Sequence, residues 1–455
     1  RIAAQWWGDL GFAERRKRLL AWKGVLARRQ HQLVELIHRE NGKPRVDGLI
    51  EVAAAVEHLD WAGRHARRTL GPRRVRSGLL MANHRAYLEY QPLGVIGVIG
   101  PWNYPVLTPM GSIAYALAAG NAVVFKPSEY TPGVAQWLAD AFLQVVPEHP
   151  VFQVITGYGE TGAALCQAGV DKIAFTGSTA TGKKVMAACA TSLTPVLVEC
   201  GGKDALIVGE DADLAAAADA AAWGGLSNAG QTCAGVERVY VVEAVYDRFL
   251  ELLTQAVREL RPGEDREASY GPITMPRQLE VIRRHLDDAL ARGARAVVGG
   301  KDAVQAPYVQ PTVLVDVPDD APAVCEETFG PTLVVTRVRS MDEAVDKANA
   351  VDYGLGGAVF TRHGGREIAQ RLRAGMVSVN SVLAYAGIPS LPFGGVGASG
   401  FGRIHGEDGL REFSRAKAVT VQRFRPPVSA MSYRRTEKDA SRLAKLVQLR
   451  HGRRP

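Results

Sequence analysis

From Phe12 to Val56 apolar side chains recur at the spacing of one helical face, with Leu19, Leu20, Leu26, Leu33, Leu36 and Ile37 set among Arg, Lys, Glu and Gln. Asn41-Gly42-Lys43-Pro44 interrupts that face, since Gly and Pro are poor helix interiors. Beyond Gly71-Pro72 a partly alternating stretch, Val75 to Gln91, reads as a hairpin and an arm for self-association. An apolar strand, Gly94 to Ile99, follows.

Helix and strand then alternate: an Ala-rich helix at Ser112–Ala119, a strand at Asn121–Phe125, a helix at Thr131–Val145, a strand at Val151–Ile155, a helix at Gly162–Ala168 and a strand at Lys172–Phe175. Such alternation predicts a parallel α/β sheet. After Gly201-Gly202 it resumes, with strands at Ala205–Val208 and Val239–Val242 and helices at Leu214–Trp223 and Tyr246–Leu260. From Gly354 to Gly409 the chain is rich in glycine, as are loops that approach a ligand or another segment closely. A further strand near Ala418–Arg423 complements the arm, and Glu437–Arg450 can form an amphipathic helix with Ala440, Leu443, Ala444 and Val447 on one side.

Length and composition bound this picture. The 455 residues exceed the roughly 250–300 at which single cores stop growing, so two or more domains are expected. With 47% hydrophobic and 22% charged residues the chain is ordinary globular protein. It begins at Arg1 without a methionine, which leaves room for a missing N-terminal piece and any targeting signal there. Its apolar runs are too short to span a bilayer. The net charge is +8, but beyond Ser432 eight Arg and Lys stand against only Glu437 and Asp439, so +6 of it belongs to the tail. A near-neutral body with no basic stripe argues against nucleic acid. The tail's cations could meet an anionic membrane surface, although the small apolar face favours a solvated or self-associated tail. Five cysteines without CxxC spacing and ten histidines without a ligand cluster argue against disulfides and metal, and for a reducing, cytoplasmic setting.

Several segments carry candidate chemistry. Gly157-Tyr-Gly159-Glu-Thr-Gly162 is a GxGxxG between a strand and a helix, where backbone N–H groups can cradle a pyrophosphate or simply make a tight turn. The acid expected about 20 residues on is missing. Lys126-Pro-Ser128-Glu129 offers a better ribose ligand: Glu129 could accept both ribose hydroxyls and repel a 2′-phosphate, which favours NAD over NADP. Its plain alternative is a helix start capped by Ser128 or Thr131. Asn228-Ala-Gly-Gln-Thr-Cys233-Ala-Gly sets one thiol in a glycine-flanked turn, open enough for a nucleophile; otherwise it is an inert small side chain. Glu199 ends an apolar strand before two glycines, so desolvation would raise its pKa toward that of a general base, unless it pairs with Lys203. Asn103, between Pro101 and Pro105, is either a fixed oxyanion donor or a turn residue.

Taken in order, these segments resemble the aldehyde dehydrogenase superfamily over about Arg15 to Gln422: Pro-Trp-Asn-Tyr-Pro at 101–105, Lys-Pro-Ser-Glu at 126–129, Phe-Thr-Gly-Ser at 175–178, Glu-Cys-Gly-Gly-Lys at 199–203, Gly-Gln-Thr-Cys at 230–233, Glu-Glu-Thr-Phe-Gly-Pro at 326–331 and Pro-Phe-Gly-Gly at 392–395. The resemblance implies Cys233 as nucleophile, Glu199 as general base and Asn103 as oxyanion donor with the Cys233 N–H. It also implies that Lys126 and Glu129 hold the adenosine ribose, Ser178 meets the pyrophosphate, Glu327 holds the nicotinamide ribose and Phe329 lies by the nicotinamide. Trp102, Ser128, Gly159 and Gly177 complete the cofactor set. The expected activity is NAD-dependent oxidation of an aldehyde to the acid through a thiohemiacetal and a thioester. Glu199 favours hydrolysis over transfer to CoA, whose branch of the family generally lacks that glutamate.

The fold expected is α/β: a Rossmann-like parallel-sheet NAD-binding domain (1–73 and 92–201), an α/β catalytic domain (202–405), a small β oligomerisation arm (74–91 and 415–426) and a basic tail (432–455). A homodimer or homotetramer is expected. This chain has Ile404 where many members have a glutamate, which puts any proton relay there in doubt, and Cys200 beside the base. His405-Gly406 is similar to the branch acting on fatty and aromatic aldehydes, and Val236–Tyr240 to branches that include semialdehyde dehydrogenases. A cysteine esterase and a non-catalytic protein are the rival readings.

Overall fold

The computed structural model describes residues 1–425 and 432–452. Pro426, at the end of the expected arm, and Arg453, Arg454 and Pro455 of the expected tail lie outside the described residues. The chain divides into two compact units, one of Arg1–Thr69 with Pro92–Arg415, the other of Leu70–Gln91 with the described residues from Ala416 onward.

The first unit contains a six-stranded sheet in the order Gly400–Phe401, Val196–Cys200, Lys172–Gly177, Val95–Ile99, Ala122–Lys126 and Phe152–Val154. Its strands are parallel except Gly400–Phe401, which runs antiparallel against Val198 and Glu199. Strand order reverses beside Val95–Ile99, so the C-terminal ends of that strand and of Lys172–Gly177 diverge into a crevice, the usual ligand position in open α/β sheets. The same unit holds a seven-stranded sheet built on parallel pairings of Thr312–Val315, Thr332–Val338, Val236–Val242, Asp204–Val208, Gly357–Phe360 and Ser378–Val379, with Arg295–Val298 antiparallel at one edge.

Local chemistry accounts for these elements. The helix Leu107–Ala119 starts earlier than its Ala-rich core predicts, and every residue from Pro109 to Ala119 is buried. Asn121 ends it: its amide donates to the carbonyls of Ala116 and Phe413, while its Oδ1 accepts the N–H groups of Leu93 and Gly94. One buried side chain thus registers a helix end against the first strand. The helix Pro132–Leu143 begins after Thr131, as expected, but neither Ser128 nor Thr131 caps it. Its first free N–H groups, on Gly133 and Val134, instead donate to the two oxygens of Glu40 at 2.8 and 3.0 Å. A long-range carboxylate has taken the local cap's place.

Elements between Arg261 and Tyr353 are not foreseen by the sequence reading. The helix Pro276–Ala291 carries the clearest unread signal, with Pro276 opening it and Ile282, Leu286 and Ala289 on its buried face. In the second unit Arg73–Val75 pairs antiparallel with His84–Pro92, the hairpin foreseen, and Ser414–Gln422 completes a three-stranded sheet. The helix Glu437–His451 has no buried residue and opens with a capping box between Thr436 and Asp439. Among the described residues no helix is long and apolar enough to cross a membrane.

Replacing Glu40 by Ala strips both N–H groups of their acceptor and should cost about 1 kcal/mol, the usual value of a lost cap. Thermal unfolding is the check: Glu40→Ala should melt below both the parent and Glu40→Gln, which keeps one acceptor oxygen.

Candidate active site

The twelve candidate residues, scattered from Trp102 to Phe329, all line one cleft of about 560 Å³. Ile99, Lys126, Gly177 and Glu199 reach it from the C-terminal ends of the six-stranded sheet, and Cys233, Glu327 and Phe329 from loops leading into strands of the seven-stranded sheet. The cleft occupies the crevice the strand order creates.

Around Cys233 the backbone is bent hard. Asn228, Ala229 and Gly230 are consecutive left-handed residues, at φ 51°, 57° and 72°. Each non-glycine residue there costs of order 1–3 kcal/mol and persists only if its surroundings hold it. They do. Asn228 donates to the Gln231 and Asn103 carbonyls, while Gln231 donates to the Asn228 and Pro272 carbonyls and accepts the Thr274 N–H. At Gly230 a methyl group would lie 2.1 Å from the Gly330 oxygen, so the turn also needs glycine for space.

Asn103 is buried, and its Nδ2 donates to the Gln231 carbonyl at 3.0 Å. That bond uses one of the amide's two hydrogens and orients the other. Glu199 is 2% exposed, and among the described residues neither of its oxygens has a hydrogen-bond partner. The expected alternative, a bridge to Lys203, is not made: Lys203 pairs with Glu237. Burial pushes the Glu199 carboxyl up to about 7, while the nearby Cys233 thiol and Thr176 hydroxyl draw it partly back. The same burial, with the negative charge of Glu199, Glu327 and Asp204 around it, holds the Cys233 thiol well above its ordinary value. A partly exposed, protonated thiol thus stands beside a buried carboxylate suited to take its proton.

Farther along the cleft, Lys126 Nζ lies 3.8 Å from Glu129, whose carboxylate also receives the Ser128 hydroxyl at 3.3 Å. Gly159 opens the helix Gly159–Gln167, and a methyl group there would meet nothing within 4 Å. Ser178 caps the helix Thr179–Ala190 by accepting the Thr181 N–H. Trp102 meets Phe329 edge-on, ring centroids 5.6 Å apart. Phe329 is itself left-handed, at φ 50°. It is held by Glu237, whose carboxylate takes the N–H groups of Thr328 and Phe329, each at 2.9 Å. This Lys203–Glu237 support went unread in the sequence, as did the cleft residues Tyr130, Lys184, Met275 and Gln278. Glu327 is half-buried, its Oε1 is enclosed without a hydrogen-bond partner among the described residues, and a methyl group on Gly201 would come within 1.7 Å of that atom. A side chain at 201 would push the carboxylate aside. The orphaned oxygen, the open helix start and the flat rings suit a nicotinamide dinucleotide with ribose hydroxyls to satisfy.

Of the other cysteines, Cys166 also lines the cleft. All five thiols are free, and burial raises those of Cys189 and Cys200 to about 12. Ile404 is buried in a β-bridge with Phe393 and supplies no carboxylate. Among the described residues no group of three or more His, Cys, Asp or Glu side chains is gathered as a metal ion would need.

The architecture is that of two parallel α/β sheets sharing a cleft with a cysteine and a glutamate. The model of the aldehyde dehydrogenase family matches residues 1–419, and the chain belongs to that family. A 4,4'-diapolycopene aldehyde oxidase of a Methylomonas species is 38% identical over 94% of this chain and 81% of its own length. A putative succinate-semialdehyde dehydrogenase [NADP(+)] of Mycolicibacterium smegmatis is 35% identical over 93% of this chain and 83% of its own. Among solved structures, an NAD-dependent aldehyde dehydrogenase from Sinorhizobium meliloti superposes with a TM-score of 0.89 at 32% identity, covering 94% of this chain and 85% of the other.

The unpaired carboxylate has a stability signature. Raised from 4.5 to about 7, Glu199 makes folding less favourable as pH climbs through that window, by about 3 kcal/mol once fully ionised. The melting temperature of Glu199→Gln relative to the parent should therefore rise between about pH 5 and pH 8; a pH-independent offset would contradict the assignment.

Proposed function

We propose that this chain oxidises an aldehyde to its carboxylic acid with NAD⁺, through covalent attachment of the substrate to Cys233. The observation that carries the reading is the buried, unpartnered carboxylate of Glu199 beside the Cys233 thiol, in the cleft that also gathers the dinucleotide candidates.

In this reading the Cys233 sulfur adds to the carbonyl carbon as its proton passes to Glu199. The former carbonyl oxygen becomes an alkoxide, met by the free Nδ2 hydrogen of Asn103 and the backbone N–H of Cys233. Lys126, Ser128 and Glu129 would hold the adenosine ribose, Gly159, Gly177 and Ser178 the pyrophosphate, and Glu327, Trp102 and Phe329 the nicotinamide end. Bound there, the oxidised nicotinamide supplies a two-electron acceptor for the aldehyde hydrogen. Cys233 then carries the acyl group as a thioester. Glu199, ionised once its proton has left, takes a proton from water, whose oxygen attacks the acyl carbon and releases the acid. The thiol is regenerated with that proton. Glu129 supports NAD over NADP, since a second negative group beside it would be repelled. The hairpin side chains Leu79, Leu80 and Met81, all exposed, support self-association through the second unit.

NADH formation, followed at 340 nm over aliphatic, aromatic and semialdehyde substrates, tests the assignment. Cys233→Ala should abolish both this signal and cofactor-free hydrolysis of an activated ester; activity surviving that change would remove the covalent mechanism. Asn103→Ala should lower kcat about 10²- to 10³-fold, the usual loss for one oxyanion donor. Deacylation should rise with pH around a midpoint near 7, where Glu199 ionises, and Glu199→Gln should erase that rise.

A further inference from the structure

The Asn41-Gly42-Lys43-Pro44 turn, so far only a break between helices, ends inside the protein beside Asn103. Lys43 and Glu51 form an ion pair whose two side chains are both at 0% exposure. The Lys43 ammonium also donates to the Asn103 backbone carbonyl at 2.8 Å and sits 3.8 Å from the centre of the Tyr104 ring. Glu51, through its other oxygen, accepts the N–H groups of Val106 and Leu107 at 2.8 and 3.1 Å. One ion pair therefore grips the segment 103–107 at both ends, by a carbonyl at one and by two amides at the other.

The turn reaches the nucleophile's loop as well. Asn41 donates from its side chain to the Trp102 carbonyl at 3.3 Å and accepts the Lys43 N–H at 3.0 Å. Its own carbonyl receives the Thr274 hydroxyl, and the Thr274 N–H bonds the Gln231 side chain, two residues before Cys233. Gln231 in turn accepts from Asn103 Nδ2. A closed ring of hydrogen bonds results. Gly42 and Gly271 are packed so closely within it that a methyl group on Gly271 would lie 2.1 Å from the Gly42 oxygen.

A buried ion pair seldom stabilises a fold better than apolar side chains of the same size would. An apolar pair, however, could not hold a carbonyl and two N–H groups in fixed positions. We propose that Lys43 and Glu51 are positioning residues for the oxyanion donor: they hold the Asn103 amide at the attacked carbonyl, in step with the Cys233 loop. This rests on the role given to Asn103 above, and neither residue touches the reacting atoms.

A double-mutant cycle separates positioning from general support. Lys43→Met should lower kcat for the aldehyde by about tenfold to a hundredfold, the scale of a reacting group displaced by an ångström, with the KM for NAD⁺ unchanged. In an Asn103→Ala background the same substitution should lower kcat by less than about threefold, since no donor remains to misplace. Equal fold losses in the two backgrounds would overturn the proposal while leaving the role of Asn103 intact. An Asn103→Ala enzyme as fast as the parent would overturn both. Should Lys43→Met fail to fold, Glu51→Gln keeps an acceptor oxygen for the two amides and replaces it in the same cycle, with the same outcomes expected; an unaltered kcat in that variant overturns the proposal.

Discussion

The site depends on one carboxylate being buried without a partner. Left to ordinary electrostatics, Glu199 would find a cation, and one stands close in sequence at Lys203. The fold prevents this by giving Lys203 to Glu237, much as it gives Lys43 to Glu51. With Lys203 engaged, desolvation is the largest influence on the proton affinity of Glu199, only partly offset by the Cys233 thiol and the Thr176 hydroxyl, and its ionisation moves up to about 7. Unpaired burial is unfavourable for stability, and the same raised proton affinity supports the proposed role of the residue as a base.

The two buried ion pairs also shape the walls. Glu237 takes the backbone amides of Thr328 and Phe329 while it neutralises Lys203, so the loop carrying Glu327 and Phe329 is fixed by the group that pairs with Lys203. Glu51 likewise holds the amides that follow Asn103. Charge pairing and loop placement are one arrangement, and the left-handed residues at 228, 229 and 329 persist because side-chain amides and carboxylates over-determine them. Glycine supplies the remaining room, at Gly201 against Glu327 and at Gly230 against Gly330.

Much of the first sheet was legible because its signals are local. Val95–Ile99, Ala122–Lys126 and Lys172–Gly177 are short apolar runs between recognisable helices, and their ends fall within a residue or two of the expected positions. The region from Arg261 to Tyr353 was not legible. Its strands Thr312–Val315 and Thr332–Val338 are buried through most of their length and so lack alternation, and glycine and proline interrupt the chain between them. The start of the helix Pro132–Leu143 was foreseen but its cap was not, since Glu40 lies more than ninety residues away.

The sequence alone determined the family, the α/β class and the chemical identity of the candidate groups, because motifs such as Gly-Gln-Thr-Cys and Glu-Cys-Gly-Gly-Lys record which atoms are present and which backbone bends are allowed. It could not determine which charges pair. Lys203 is four residues from Glu199 yet bonds Glu237, and Lys43 is sixty residues from Asn103 yet bonds its carbonyl. Only the tertiary structure decides such matters, because pairing inside a protein depends on distance and desolvation in three dimensions, and neither follows from separation along the chain.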